Sequence, residues 1–215
     1  HGCDPSEHAV ELARAKAAAL VQAASGVVFD YRVAEALPLP FPGGAFSHAF
    51  TIHPLLVTPS ERGALLQELA RILAPHGQAL VALPLRGSFV EVADLLREYA
   101  LKYEIVDLLT ALDAAAQFRP TDDMLGHELE SAGFEYVEVD VRKRTLRFEN
   151  GRDFFGDPIT RLLLAAELRA NLALESYGHE VDPFSYVRDA IDKYWSDGTF
   201  ELTVSVGVIS GRRRA

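Results

Sequence analysis

Cysteine is nearly missing from this chain: Cys3 is the only one, so no intrachain disulfide and no cysteine-built zinc cluster can form. Long hydrophobic runs are missing too. No stretch approaches the ~18 consecutive apolar residues of a membrane span, and no charged-then-apolar leader opens the chain. The expectation is a soluble, cytoplasmic protein with no membrane partner. Basic residues are in deficit, 21 Lys and Arg against 31 Asp and Glu for a net charge of −10. That balance argues against nucleic acid as a partner, because neutralising phosphates needs a basic face. The cluster Arg142, Lys143, Arg144 and Arg147 runs the other way, and a solvated edge strand accounts for it. His8, His76, His127 and His179 show no i, i+4 pairing, so no metal site is expected. Finally, the 15 glycines include no G-x-G, the spacing that lets a backbone approach a nucleotide closely.

What is present suits one well-buried domain, or one domain with a lid: 215 residues, 49% of them hydrophobic. Residues 7–24 carry Val10, Leu12, Ala13, Ala17, Leu20 and Val21 at helical spacing. The apolar run 27–32 reads as a buried strand. A loop punctuated by Pro38, Pro40, Pro42, Gly43 and Gly44 follows, and then a second strand over 46–53 that Pro54 breaks. An amphipathic helix over 59–73 leads to a buried strand at 78–83. Strands alternating with helices in this way predict crossovers and a parallel sheet, whose carboxyl-end crevice is where ligands bind. Beyond it lie two helical stretches in 88–118, a helix over 121–133, an alternating strand at 135–148, a mostly helical 150–198 and a closing strand at 199–210.

The stretch AEALPLPFPGGAFSHAFTIHPLL resembles a connected motif of class I S-adenosylmethionine-dependent methyltransferases of the ubiquinone/menaquinone-biosynthesis type. Ala34, Glu35, Leu37, Pro38 and Phe46 stand where that motif wants them. RILAPHGQALVALP is similar to the family's turn-and-strand further on, and GCDPSEHAVELAR to its strand-end-plus-helix. The resemblance implies a Rossmann-like α/β fold, mostly parallel with an antiparallel edge hairpin, as a single domain over 1–215. Helical insertions at 86–120 and 150–198 would form a lid over the acceptor. It implies S-adenosylmethionine as cofactor. Asp4 would then hold the ribose, although Asp4 or Ser6 also suits a plain helix cap. Val33, Ala34 and Glu35 would lie at the adenine, Thr51 beside the cofactor, and His53 would face the methyl group as a general base. His48 reads as a core or interface histidine.

The chain departs from the family in two places. Val33 replaces the Asp that bonds the adenine amino group, at an expected cost of ~1 kcal/mol, and Ser47 replaces an Asp before the central strand. The family's first strand and glycine-rich turn are expected N-terminal to His1, which makes the sheet incomplete at that end. The functional expectation is methyl transfer to a small-molecule acceptor, with Phe154, Phe155, Tyr177, Phe184, Tyr186, Tyr194 and Trp195 walling an apolar site. The rival is a methyltransferase-like binding or assembly module without catalysis. A homodimer is left open.

Overall fold

Register, more than length, decides how these segments assemble. A computed structural model describes residues 1–21, 26–52, 58–177 and 181–215. Strand β1 (Gly2–Asp4) leads into helix α1 (Glu7–Val21) and returns as β2 (Tyr31–Val33), which pairs parallel with β1 so that Asp4 stands opposite Val33. The strand expected over 27–32 is therefore later and shorter. β1 offers only three residues to pair with, and Val27 and Val28 are left exposed.

β3 (Phe46–Ile52) pairs parallel with β4 (Leu73–Pro84) through the crossover helix α2 (Pro59–Ile72). A capping box starts α2: the Thr58 Oγ1 accepts from the Glu61 N–H, and the Glu61 carboxylate accepts from the Thr58 N–H at 2.8 Å. The chain continues through α3 (Val90–Lys102), α4 (Val106–Ala116) and α5 (Asp122–Ser131) to β5 (Phe134–Phe148). Then come α6 (Gly151–Gly156), a π turn (Thr160–Leu164), α7 (Ala165–Leu172), α8 (Pro183–Tyr194) and β6 (Phe200–Arg213).

The mostly parallel sheet that the sequence suggested is not what forms. The order is β3-β4-β6-β5, with β6 antiparallel to both neighbours, and the described strands fall into this sheet and the separate β1-β2 pair. The reason lies in the length of β6, whose 14 residues bond along both edges. The antiparallel ladders thus outweigh the shorter parallel ones, and the expected hairpin of β5 and β6 is joined to the sheet through β6. β5, the outer strand, is exposed along most of its length and carries the basic cluster into solvent. β4 is less buried than expected, because Leu80 on its second face stays 38% exposed.

β6 also divides the core. Phe200, Leu202 and Val204 are buried against the helices of both insertions, whereas Ile209 is buried with Leu125, Leu129 and Phe134 beside α2 and α5. Strand alternation puts these two sets on opposite faces. Glycine fits where the second set approaches most closely: a Cβ at Gly207 would lie 2.8 Å from the Leu85 side chain. Burial on the face of Phe200, Leu202 and Val204 lapses at Val206 and Val208, which are only half-buried. No helix among the described residues is long and apolar enough to cross a membrane.

Candidate functional site

The parallel pairing of β1 and β2 carries two sequence-distant segments to one place. Asp4 and Val33 are direct partners in register, and the Ala34 N–H donates to the Asp4 carbonyl at 3.1 Å. Asp4 is exposed at the strand end. One of its carboxylate oxygens accepts from the Ser6 N–H at 2.8 Å, and the Ser6 Oγ accepts from the Ala9 N–H at 3.2 Å. Ser6 thus does the capping of α1. The second oxygen of Asp4 has no partner among the described residues, so the cap and ligand readings coexist. Val33 is 38% exposed beside it and Glu35 is exposed. The Ala34 N–H is already spent on Asp4, whereas the Glu35 N–H has no backbone partner among the described residues.

The loop after Glu35 is held from α2 by residues that sequence reasoning passed over. Glu68, 8% exposed, accepts from the Leu39 N–H and from Arg71, each at 2.6 Å, and Arg71 donates on to the Phe41 carbonyl at 2.8 Å. The Arg71 hydrogen bonds, ahead of the desolvation that opposes them, hold the Glu68 carboxyl below its usual range. A Glu and an Arg at i, i+3 gave no hint of this, because the pair reads as an ordinary solvated helix face. From β2, the Arg32 guanidinium donates to the Pro40 carbonyl and lies 5.2 Å from the centre of the Phe41 ring.

Thr51 is half-buried on β3 opposite Val81 of β4. His53 lies outside the described residues. His48 is exposed, with its Nδ1 3.0 Å from the Ser47 Oγ, and is not a core histidine.

Directly after β4 the chain turns into a pocket of about 160 Å³ between the first turn of α3, the end of α4 and α7. Phe89, Leu112 and Leu172 supply apolar wall, and Arg86, Arg97 and Arg119 supply positive charge. Arg119 is bonded to Glu167 and lies over the Phe89 ring, 4.9 Å from its centre. Burial pushes the Arg119 pKa down and the Glu167 pKa up, and the attraction between them only partly offsets it. A bidentate pair fixes the base of this region: Arg62, 2% exposed, donates to both Glu128 oxygens at 2.6 and 2.7 Å and to the Phe118 carbonyl at 2.9 Å.

The aromatic wall expected from the insertions is used differently. Phe154 is 1% exposed and packs edge-on against Phe148 and Phe200, Trp195 packs on Phe200, and Phe155 on Phe184. These rings are core. Tyr186 and Tyr194 donate to Glu98 and so tie α8 to α3.

Residues 1–77 match the family profile described as a methyltransferase domain. That span carries Asp4, Val33, Ala34, Glu35 and Thr51. Across the whole chain the fold resembles that of a Bacillus halodurans protein described as a candidate methyltransferase, at 18% identity and a TM-score of 0.56 over 99% of this chain and 82% of that one. The YcgJ protein of Bacillus subtilis matches at 14% identity and 0.54, over 100% and 82%. The [4+2]-cyclase SpnF matches at 18% and 0.51, over 100% and 65%. The fold is therefore the α/β fold of methyltransferase structures, with a mixed sheet, and its N-terminal part is methyltransferase-like.

Proposed function

We propose that the protein binds S-adenosylmethionine at the carboxyl ends of β1 and β2 and transfers its methyl group to a small-molecule acceptor. The observation that supports this best is the exposed Asp4 carboxylate. Its second oxygen has no partner among the described residues, and register sets Asp4 beside Val33 and the start of the loop that the methyltransferase match includes. These residues fit the nucleoside half of the cofactor. The second Asp4 oxygen accepts the ribose hydroxyls, Val33 packs on the adenine face, and the Glu35 backbone offers a donor. The cofactor supplies an already activated methyl on a sulfonium, so the protein's chief work is positioning and charge placement. Thr51 is the polar residue beside the donor, and His53 takes the proton of an acceptor hydroxyl.

A second reading, a binding module without catalysis, is favoured by Val33, which accepts no hydrogen bond from adenine. The likeness to a cyclase also cautions that this fold hosts chemistry other than methyl transfer. Incubating the intact protein with methyl-labelled S-adenosylmethionine and a panel of small hydroxy acids distinguishes the two. The enzyme reading expects label in an acceptor and stoichiometric S-adenosylhomocysteine, with His53→Ala slowing turnover but not binding. Binding without turnover across the panel supports the module.

A further inference from the structure

The pocket after β4 carries a pattern of charge unlike the rest of the molecule. In a chain of net charge −10, its lining holds Arg86, Arg97 and Arg119 and no Asp or Glu. Two of these cations are engaged: Arg97 with Asp94 and Asp113, each at 3.1 Å, and Arg119 with Glu167. Arg86 differs. Among the described residues its guanidinium donates to the Met124 sulfur, at 3.7 Å, and pairs with no carboxylate. Its backbone is nevertheless fixed, because the Arg86 N–H donates to the Pro120 carbonyl at 2.9 Å and the Leu85 N–H to the Ser205 carbonyl at 2.7 Å. Arg86, its backbone fixed and its side chain paired with no carboxylate among the described residues, thus lines a cavity walled by Phe89, Leu112 and Leu172.

A guanidinium presents two parallel N–H groups that match a carboxylate or phosphate. The cavity, about 160 Å³, is close to the ~150 Å³ that admits a single benzene-sized ring. We propose that this pocket binds a small organic anion, with its carboxylate or phosphate on Arg86 and an apolar body about one ring in size against Phe89, Leu112 and Leu172. The pocket opens just beyond the end of β4, the strand that pairs with Thr51 of β3. The inference thus names an acceptor class for the methyl transfer proposed above, and it rests on that reading only for the word acceptor. Binding itself is separable from the cofactor.

The test is calorimetric titration of the intact protein, with no S-adenosylmethionine present, using benzoate, phenyl phosphate and the neutral benzyl alcohol as probes. Benzoate or phenyl phosphate, or both, should bind saturably in the millimolar range or tighter, with benzyl alcohol at least ~ten-fold weaker, as expected for the loss of a charge-assisted hydrogen bond. Two anions binding alike would mean that the charge is read, and one preferred that its geometry is read too. Arg86→Gln should remove that preference while leaving the melting temperature unchanged, because Arg86 is exposed. Ala115→Phe should fill the cavity and abolish binding of all three. Equal binding of benzoate and benzyl alcohol, an undiminished anion affinity in Arg86→Gln, or no binding of either anion would each overturn the proposal. All of these outcomes are independent of whether methyl transfer occurs.

Discussion

At Asp4 one carboxylate oxygen accepts from the Ser6 N–H while the other has no partner among the described residues, and the sequence pointed to both roles because an acidic residue ending a strand before a helix start serves either. The opposite case is Arg62. Its position on an amphipathic helix reads as solvent-facing, yet it is 2% exposed and clamps Glu128 from 66 positions away. Pairings over such separations leave no local trace, so this one was not legible. Arg62→Ala should strand the Glu128 carboxylate in a partly buried site and cost about 3 kcal/mol. Urea unfolding would read this as a lower midpoint at an unchanged slope. A loss below about 1 kcal/mol would mean that the pair is screened like a surface bridge.

Among elements, helices were more legible than strands. The expected helix over 59–73 is α2 to within a residue, because capping and the leucine stripe are local signals. Strand pairing is not local: nothing near residue 200 says that β6 would insert between β4 and β5. The aromatics of 150–198 were recognised as apolar but assigned to a ligand, whereas Phe154 packs on Phe148 and Phe200, Trp195 on Phe200 and Phe155 on Phe184.

The tie between α3 and α8 carries a pH signature. Hydrogen bonds from Tyr194 and Tyr186 hold the Glu98 carboxyl below its ordinary range, and burial, then Glu98, raises the Tyr186 hydroxyl above its own. A carboxyl lowered in this way contributes stability that is complete above its ordinary pKa and disappears as pH falls through the lowered value. Melting temperature measured between pH 7 and pH 3 should therefore drop less steeply in Glu98→Gln than in wild type, and parallel curves would contradict the assignment. Against the middle of α8, a Cβ on Gly151 would lie 2.7 Å from the Arg188 Cγ and 2.9 Å from its Cα. Gly151→Ala should push α6 off α8 at about 1–3 kcal/mol. Unchanged thermal unfolding would show that the contact yields freely.

At the scale of the whole molecule, the described strands form a short parallel pair and a four-stranded mixed sheet, while the buried side chains form one cluster under the helical insertions and one beside α2 and α5. The sequence motif placed the α/β class and the N-terminal methyltransferase likeness correctly, since both are carried by residues 1–77. It did not foresee the sheet's balance of directions, which β6 sets from the far end of the chain. The pocket after β4 was illegible for the same reason: Arg86, Leu112, Arg119 and Leu172 come together only when both insertions have packed.

The proposed function requires a nucleoside site at the ends of β1 and β2. Calorimetric titration of the intact protein with S-adenosylhomocysteine tests it most directly. Saturable binding is expected, weakened ~ten-fold or more by Asp4→Ala through loss of the ribose acceptor, and tightened about five-fold by Val33→Asp as the adenine amino group gains a partner. Binding that is absent at millimolar ligand, or that is indifferent to Asp4→Ala, would contradict it.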